Sequence, residues 1–189
     1  MCIRDRAYYE ALFAKCARMM LTMQRIPQPV IARVHGVATA AGCQMVANAD
    51  LAIASTEARF ATSGIGVGLF CMTPGVALSR NLARKHAFEM LFTGEFIDAA
   101  RAAALGLVND AVAPRDLDAR VAALAGAIAD KSRAAIAAGK RVFYRQLEMG
   151  MEEAYEYAAK EMACNMMFRD AAEGIDAFIE KRKPSWRHE

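Results

Sequence analysis

The stretch from Pro29 to Ser55, PVIARVHGVATAAGCQMVANADLAIAS, constrains the fold more than any other part of the chain. A β-rich apolar run with Val30, Ile31 and Val34 stops at Gly36. A block of very small residues follows (Ala38, Thr39, Ala40, Ala41, Gly42, Cys43), and a second apolar run occupies Leu51 to Ala54. Physically this reads as strand, tight turn, short helix, strand. Two strands joined through a helix need a crossover, so strands 29–34 and 51–54 are expected to be adjacent and parallel, linked by a helix over 41–48. Small side chains at a helix start let a ligand or another backbone come close. The unpaired N–H groups of the first turn, with the positive end of the helix dipole, favour negative charge there. Such a turn can act as an oxyanion hole, or can simply pack a helix tightly on a sheet; the residues alone leave both readings open.

The rest of the chain narrows the class. Its 189 residues suit one domain able to bury a sizeable core. A net charge of +3 is too small and too dispersed for a nucleic-acid partner. The densest basic cluster is Lys181, Arg182, Lys183 and Arg187, which reads as a solvated tail or as an anion site. Cysteines 2, 16, 43, 71 and 164 form no C-x-x-C pair and are odd in number, so they read as reduced thiols without a metal or disulfide framework. The uncharged stretch 61–79 holds four glycines and Pro74, which excludes a continuous membrane-spanning helix there. Arg4 and Arg6 lead into an amphipathic helix, not into the apolar core of a secretory signal.

Apolar residues at helical spacing between Tyr8 and Met23 predict one amphipathic helix, ended by Pro27 and Pro29. Phe60 starts a short extended piece, and 63–75 reads as a glycine-rich loop. Two helices are expected over 75–84 and 85–93, and a third from the cap Asp98 to Leu105, stopped by Gly106. Residues 107–112 read as extended. From Asp116 the composition is helical and alanine-rich, with helices over 116–130, 132–147, 151–167 and 170–182 and with Ser132 and Asp170 as caps. No linker separates this region from the β-containing part. The stripe Met149, Met151, Met162, Met166 and Met167 reads as helix packing or a subunit interface.

HGVATAAGCQMVANAD resembles the signature of the enoyl-CoA hydratase/isomerase (crotonase) superfamily, [NH]G-x-A-x-GGG-x-E-L-x-x-x-x-D. The segments ARFATSGIGVGL, TPGVALSRNL, FEMLFTGEFIDAARAAALGLVNDAV and EGIDAFIEKRKPSW agree with it in the same order. The wording TAAGCQ, GLFCMTPGVAL and EKRKPSW is similar to one branch that departs from the working hydratases. The resemblance implies an α/β fold with a spiral core of ββα units, here partial, and a helical C-terminal trimerisation region. It divides the chain into an accidental leader (1–6), a partial core (7–112) and the helical region (113–189), with earlier units of the family expected upstream. It also implies an acyl-CoA thioester as partner, coenzyme A entering only as part of the substrate and no bound cofactor or metal. A homotrimer or dimer of trimers follows, located in the cytoplasm of a bacterium or the mitochondrial matrix of a eukaryote.

Hydration of an enoyl thioester needs a base to activate water and an acid for the α-carbon. In the family two glutamates do this, and their positions fall here on Gln44 and Gly64, neither of which can exchange a proton at neutral pH. Between Gly36 and Ser79 the only carboxylates are Asp50 and Glu57, read as structural and as surface. Ala41 aligns with the middle glycine whose backbone N–H polarises the thioester carbonyl, and alanine keeps that donor where φ is below zero. By the same resemblance Thr39, Gly42 and Ser63 line the substrate and Lys181 reaches a coenzyme A phosphate. Other candidates carry less. Gly64-x-Gly66-x-Gly68 lacks a nucleotide-loop spacing. His35 suits a turn and His86 an exposed helix, while Cys43 and Cys71 have no histidine partner for nucleophilic work.

Overall fold

The computed structural model describes residues 5–189 and forms two compact units. One comprises the chain up to Gln24 together with Val30–Ala123; the other comprises Arg25–Pro29 with Leu124–Glu189. The leader reading falls mainly on residues 1–4, outside the described residues, and Arg6 already opens the first helix.

The first unit begins with α1 (Arg6–Arg25) and continues through β1 (Ile31–Val34), β2 (Val37–Thr39), α2 (Ala41–Asn48), β3 (Leu51–Ser55) and β4 (Arg59–Ala61). A 3₁₀ turn, Ser63–Val67, leads into α3 (Met72–Asn81), α4 (Arg84–Thr93), β5 (Ile97–Asp98), α5 (Ala99–Leu105) and β6 (Asp110–Val112). Two small sheets result, in the orders β1-β3-β6 and β2-β4-β5. The expected parallel pair is present: Ile31 lies opposite Leu51 and Val34 opposite Ala54. Asp50 sets this register. Its carboxylate accepts the Val30 N–H at 2.6 Å while the Leu51 N–H donates to the Val30 carbonyl at 3.2 Å, so the two strands start level. Central β3 is buried at every residue from Ala52 to Ser55, as a strand covered on both faces must be. Around it Phe60 and Leu78, both fully buried, join Cys43, Val46 and Leu91 in one core. Full burial of a side chain such as Phe60 contributes about 1.5–3 kcal/mol.

Three readings of the sequence need correction here. The block after Gly36 was expected to pass from turn straight to helix; instead Val37–Thr39 forms β2, paired in parallel with β4 in the second sheet. Each ββα unit thus gives its first strand to one sheet and its second to the other, which three residues of alternating burial do not announce. Helix α3 opens at Met72, not at Gly75. Pro74 falls in its first turn, where the missing N–H has no intrahelical partner to lose. Asp170 was expected to cap the last helix, but that helix, α9 (Arg169–Ile179), starts after Phe168. The Asp170 carboxylate accepts backbone N–H groups of Arg187 and His188. Other punctuation stands where it was expected: Asp98 accepts from the Arg101 N–H at 2.7 Å, and Gly106 ends α5 in the left-handed region at φ +84°.

The chain goes on through α6 (Leu117–Ala129), α7 (Arg133–Gln146), α8 (Met151–Met166) and α9. Ser132 caps α7 by accepting from the Ala135 N–H at 3.3 Å. Of the methionine stripe, Met149 is half-buried, while Met151, Met162, Met166 and Met167 are exposed. Among the described residues no helix is long and apolar enough to cross a membrane.

Candidate functional site

The geometry of interest lies where β2 ends and α2 begins. Ala40 takes φ +48° and ψ −116°, a region that belongs to glycine, and its N–H donates to the Ala61 carbonyl at 3.1 Å. This single residue separates the strand from the helix, so α2 starts at Ala41, two residues after the end of β2. No side chain caps the helix. Ala41 is exposed and is not among the residues with positive φ, so its N–H is kept as a donor at the positive end of the helix.

Two of the residues assigned by resemblance meet beside this turn. The Thr39 and Ser63 hydroxyls are hydrogen-bonded at 2.8 Å, across the step where Thr39 pairs with Ala61. Gly42 and Ser63 are half-buried. Gln44 lies one turn into α2 and is only 6 % exposed, yet its amide makes no hydrogen bond with a described residue. Since every fully buried side-chain nitrogen or oxygen among the described residues has a partner, the amide has to touch accessible space. Asp50 is held by the Val30 N–H and Glu57 is exposed, so neither carboxylate joins the turn.

Gly64 sits in the 3₁₀ turn, and its surroundings admit nothing larger. A Cβ built there would lie 2.5 Å from the Leu69 carbonyl oxygen and 2.8 Å from the Cys71 sulfur. A side chain at this position requires the loop to shift, because the loop closes on the glycine, with the Leu69 N–H donating to the Gly64 carbonyl at 2.9 Å. Sequence reasoning missed this crowding because its cause, the return of residues 69–71, is not local. Cys43 is fully buried, and burial first, with Cys71 nearby second, pushes its thiol up to about 12, so it stays protonated and is no nucleophile. His35 is exposed; His86 faces Glu89 at 3.9 Å on α4.

Lys181 belongs to the second unit. It follows α9, is exposed, and has φ +54°.

Chemically, the turn offers a backbone donor, two hydroxyls and a neutral amide around a helix N-terminus. Comparison with known proteins fits that arrangement into a family. The model of the enoyl-CoA hydratase/isomerase family matches residues 1–189. The chain is similar to human enoyl-CoA hydratase domain-containing protein 3, mitochondrial, with 47 % identity over 186 residues that cover 98 % of this chain and 61 % of that protein. It therefore spans about three fifths of the length of this relative. Crotonyl-CoA hydratase of Syntrophomonas wolfei is 31 % identical over 182 residues, covering 94 % of this chain and 68 % of the other. Among solved structures, enoyl-CoA hydratase of Mycobacterium smegmatis superposes with a TM-score of 0.96 at 60 % identity, over 98 % of this chain and 73 % of that one. With its ββα units, its parallel pair and its matching family model, the chain belongs to the enoyl-CoA hydratase/isomerase family and has the crotonase-type α/β fold.

Proposed function

We infer that this chain binds an acyl-CoA thioester and does not run the acid–base hydration that two carboxylates would support. The observation that carries the reading is the uncapped α2 opening at Ala41 behind the strained Ala40, which leaves a backbone donor free for a thioester carbonyl. A well-placed donor of this kind is worth about 2.7–4 kcal/mol on a developing oxyanion. Thr39, Gly42 and Ser63 line the acyl end. Coenzyme A enters as part of the ligand and not as a resident cofactor; Lys181, on the second unit, is an exposed cation of the kind that suits a phosphate. Gln44 positions water or substrate through its amide but cannot take a proton, and Gly64 supplies nothing in its place.

The test is direct. Calorimetric titration with crotonyl-CoA should show binding, while the absorbance of the conjugated thioester should persist with the protein present at catalytic concentration. Rapid loss of that absorbance overturns the account of Gln44 and Gly64; absence of binding overturns the role of Ala41.

A second reading is favoured by the absence of carboxylates from the turn. Thioesters of the malonyl type form an enolate by losing carbon dioxide, with no base required, and one oxyanion donor suits that step. Release of carbon dioxide from malonyl-CoA would separate this reading from a binding or regulatory subunit without activity. The exposed methionines of α8 support association through the C-terminal helices, as a homotrimer or a dimer of trimers. Sedimentation as a monomer at micromolar concentration would refute it. The human relative is named mitochondrial, and a reducing compartment of that kind suits the free thiols Cys16, Cys43, Cys71 and Cys164.

A further inference from the structure

Helix α2 buries two amides within its unit, and they fare differently. Asn48 is engaged at both ends: its Nδ2 donates to the Met20 carbonyl at 2.8 Å and its Oδ1 accepts from Gln24 at 3.1 Å. The Asn81 amide likewise donates to the Ala47 and Ala77 carbonyls, at 2.7 and 2.8 Å. Gln44 lies one turn before Asn48 and is as well buried, yet neither end of its amide has a partner among the described residues. Buried amides are ordinarily paired, so this one stands out. It also reaches accessible space. A long helical side chain leans back over the turn that precedes it, which for Gln44 is the turn opening at Ala41. The free amide and the free Ala41 N–H therefore serve the same small volume.

What that volume lacks is an acceptor. The Ala41 N–H and the Gln44 NH2 group are donors. The Thr39 and Ser63 hydroxyls share one hydrogen bond at 2.8 Å, so whichever of them donates, one of their two protons is left over. Against these stands the Gln44 carbonyl, and an under-satisfied carbonyl is better tolerated than an orphaned N–H. An α-helix rises about 1.5 Å per residue, so Ala41 and Gln44 stand about 4.5 Å apart along the axis of α2, and the backward lean of the side chain shortens the gap. An acyl chain held by its thioester carbonyl at Ala41 thus passes the amide within its first few carbons. A plain hydrocarbon there leaves the amide unpaired, at a cost in affinity. A second carbonyl oxygen, on the third carbon, gives the spare donors their acceptor.

We propose that the acyl group received by this turn is a 3-oxoacyl group, a 1,3-dicarbonyl whose first oxygen takes the Ala41 N–H and whose second takes an N–H of Gln44, which makes Gln44 the residue that sets acyl specificity. The proposal rests on the thioester-binding reading above. Its probes share the coenzyme A half, which cancels in the ratio of their affinities. In calorimetric titrations acetoacetyl-CoA should bind roughly tenfold more tightly than butyryl-CoA, which has the same four acyl carbons and no second oxygen. 3-Hydroxybutyryl-CoA should fall between them. Gln44→Met keeps an unbranched side chain of similar length without the amide, and should bring the ratio of acetoacetyl-CoA to butyryl-CoA affinity close to one. A second measurement needs no variant: the side-chain amide resonance of Gln44 should move further with acetoacetyl-CoA than with butyryl-CoA. Equal affinities of the unmodified chain for these two probes overturn the proposal and leave thioester binding standing. A preference that survives in Gln44→Met, equal shifts of the Gln44 resonance, or tighter binding of 3-hydroxybutyryl-CoA than of acetoacetyl-CoA overturns it as well. Binding of none of the three probes overturns the thioester reading itself, and the 3-oxoacyl proposal with it.

Discussion

Adding one carbon at position 64 would crowd both the Leu69 carbonyl and the Cys71 sulfur, and the carbonyl is backbone within a hydrogen-bonded loop. Gly64→Ala is therefore expected to cost about 1–3 kcal/mol, measured as a lowered denaturant midpoint with an unchanged slope. Equal stability of the two proteins would mean that the loop gives way freely. Gln44 differs in carrying a side chain that is nearly buried, at 6 % exposure. Gln44→Glu places a carboxylate where water barely reaches, which favours its neutral form. The variant should still leave crotonyl-CoA unhydrated, because paired acid and base groups act as a unit and position 64 supplies no partner. Hydration by this single variant, followed at the conjugated thioester absorbance, would refute that dependence.

At the scale of elements, local chemistry decides the helix ends. Asp98 accepts the Arg101 N–H, and only that side chain caps α5. Asp98→Ala should cost about 1 kcal/mol, with a readable loss in melting temperature. Ends of this type were legible in the sequence because the cap and the groups it satisfies lie within three residues of one another. The parallel pair was legible for a related reason: two apolar runs around a short helix leave few topologies. What the sequence did not disclose was set at a distance. β2 exists because β4 comes back to pair with it, the closure around Gly64 depends on residues 69–71, and Asp170 serves backbone groups 17 and 18 positions away. Of the candidate residues, Thr39 and Ser63 come together across 24 positions through that same strand pairing.

For the whole molecule, charge holds the end of the chain in place. The Arg182 guanidinium first, and the Ser185 N–H second, pull the Glu173 carboxyl down to about 2. Burial alone would raise Asp170, but the Ser132 hydroxyl and the Arg187 and His188 N–H groups together keep it below the usual carboxylate range. Both groups are depressed in the folded state, so the stability they contribute is complete above the ordinary carboxylate range and is lost as pH falls towards about 2. Trp186, the one tryptophan of the chain, sits in the segment they retain. Its emission should shift to the red within that acid range, and Glu173→Gln should move the transition to higher pH. An emission maximum that stays constant down to pH 2 would refute the link between these carboxylates and the tail.

The crowding at Gly64 also has a historical side. One nucleotide change converts the glycine codons GGA and GGG into glutamate codons, so an acid at this position is always a single mutation away. In this loop that mutation meets a backbone carbonyl before it meets a substrate. A side chain at position 64 is accommodated only together with a shift of residues 69–71. The obstacle to a larger residue is steric and lies outside the position itself, in the backbone of Leu69 and the sulfur of Cys71.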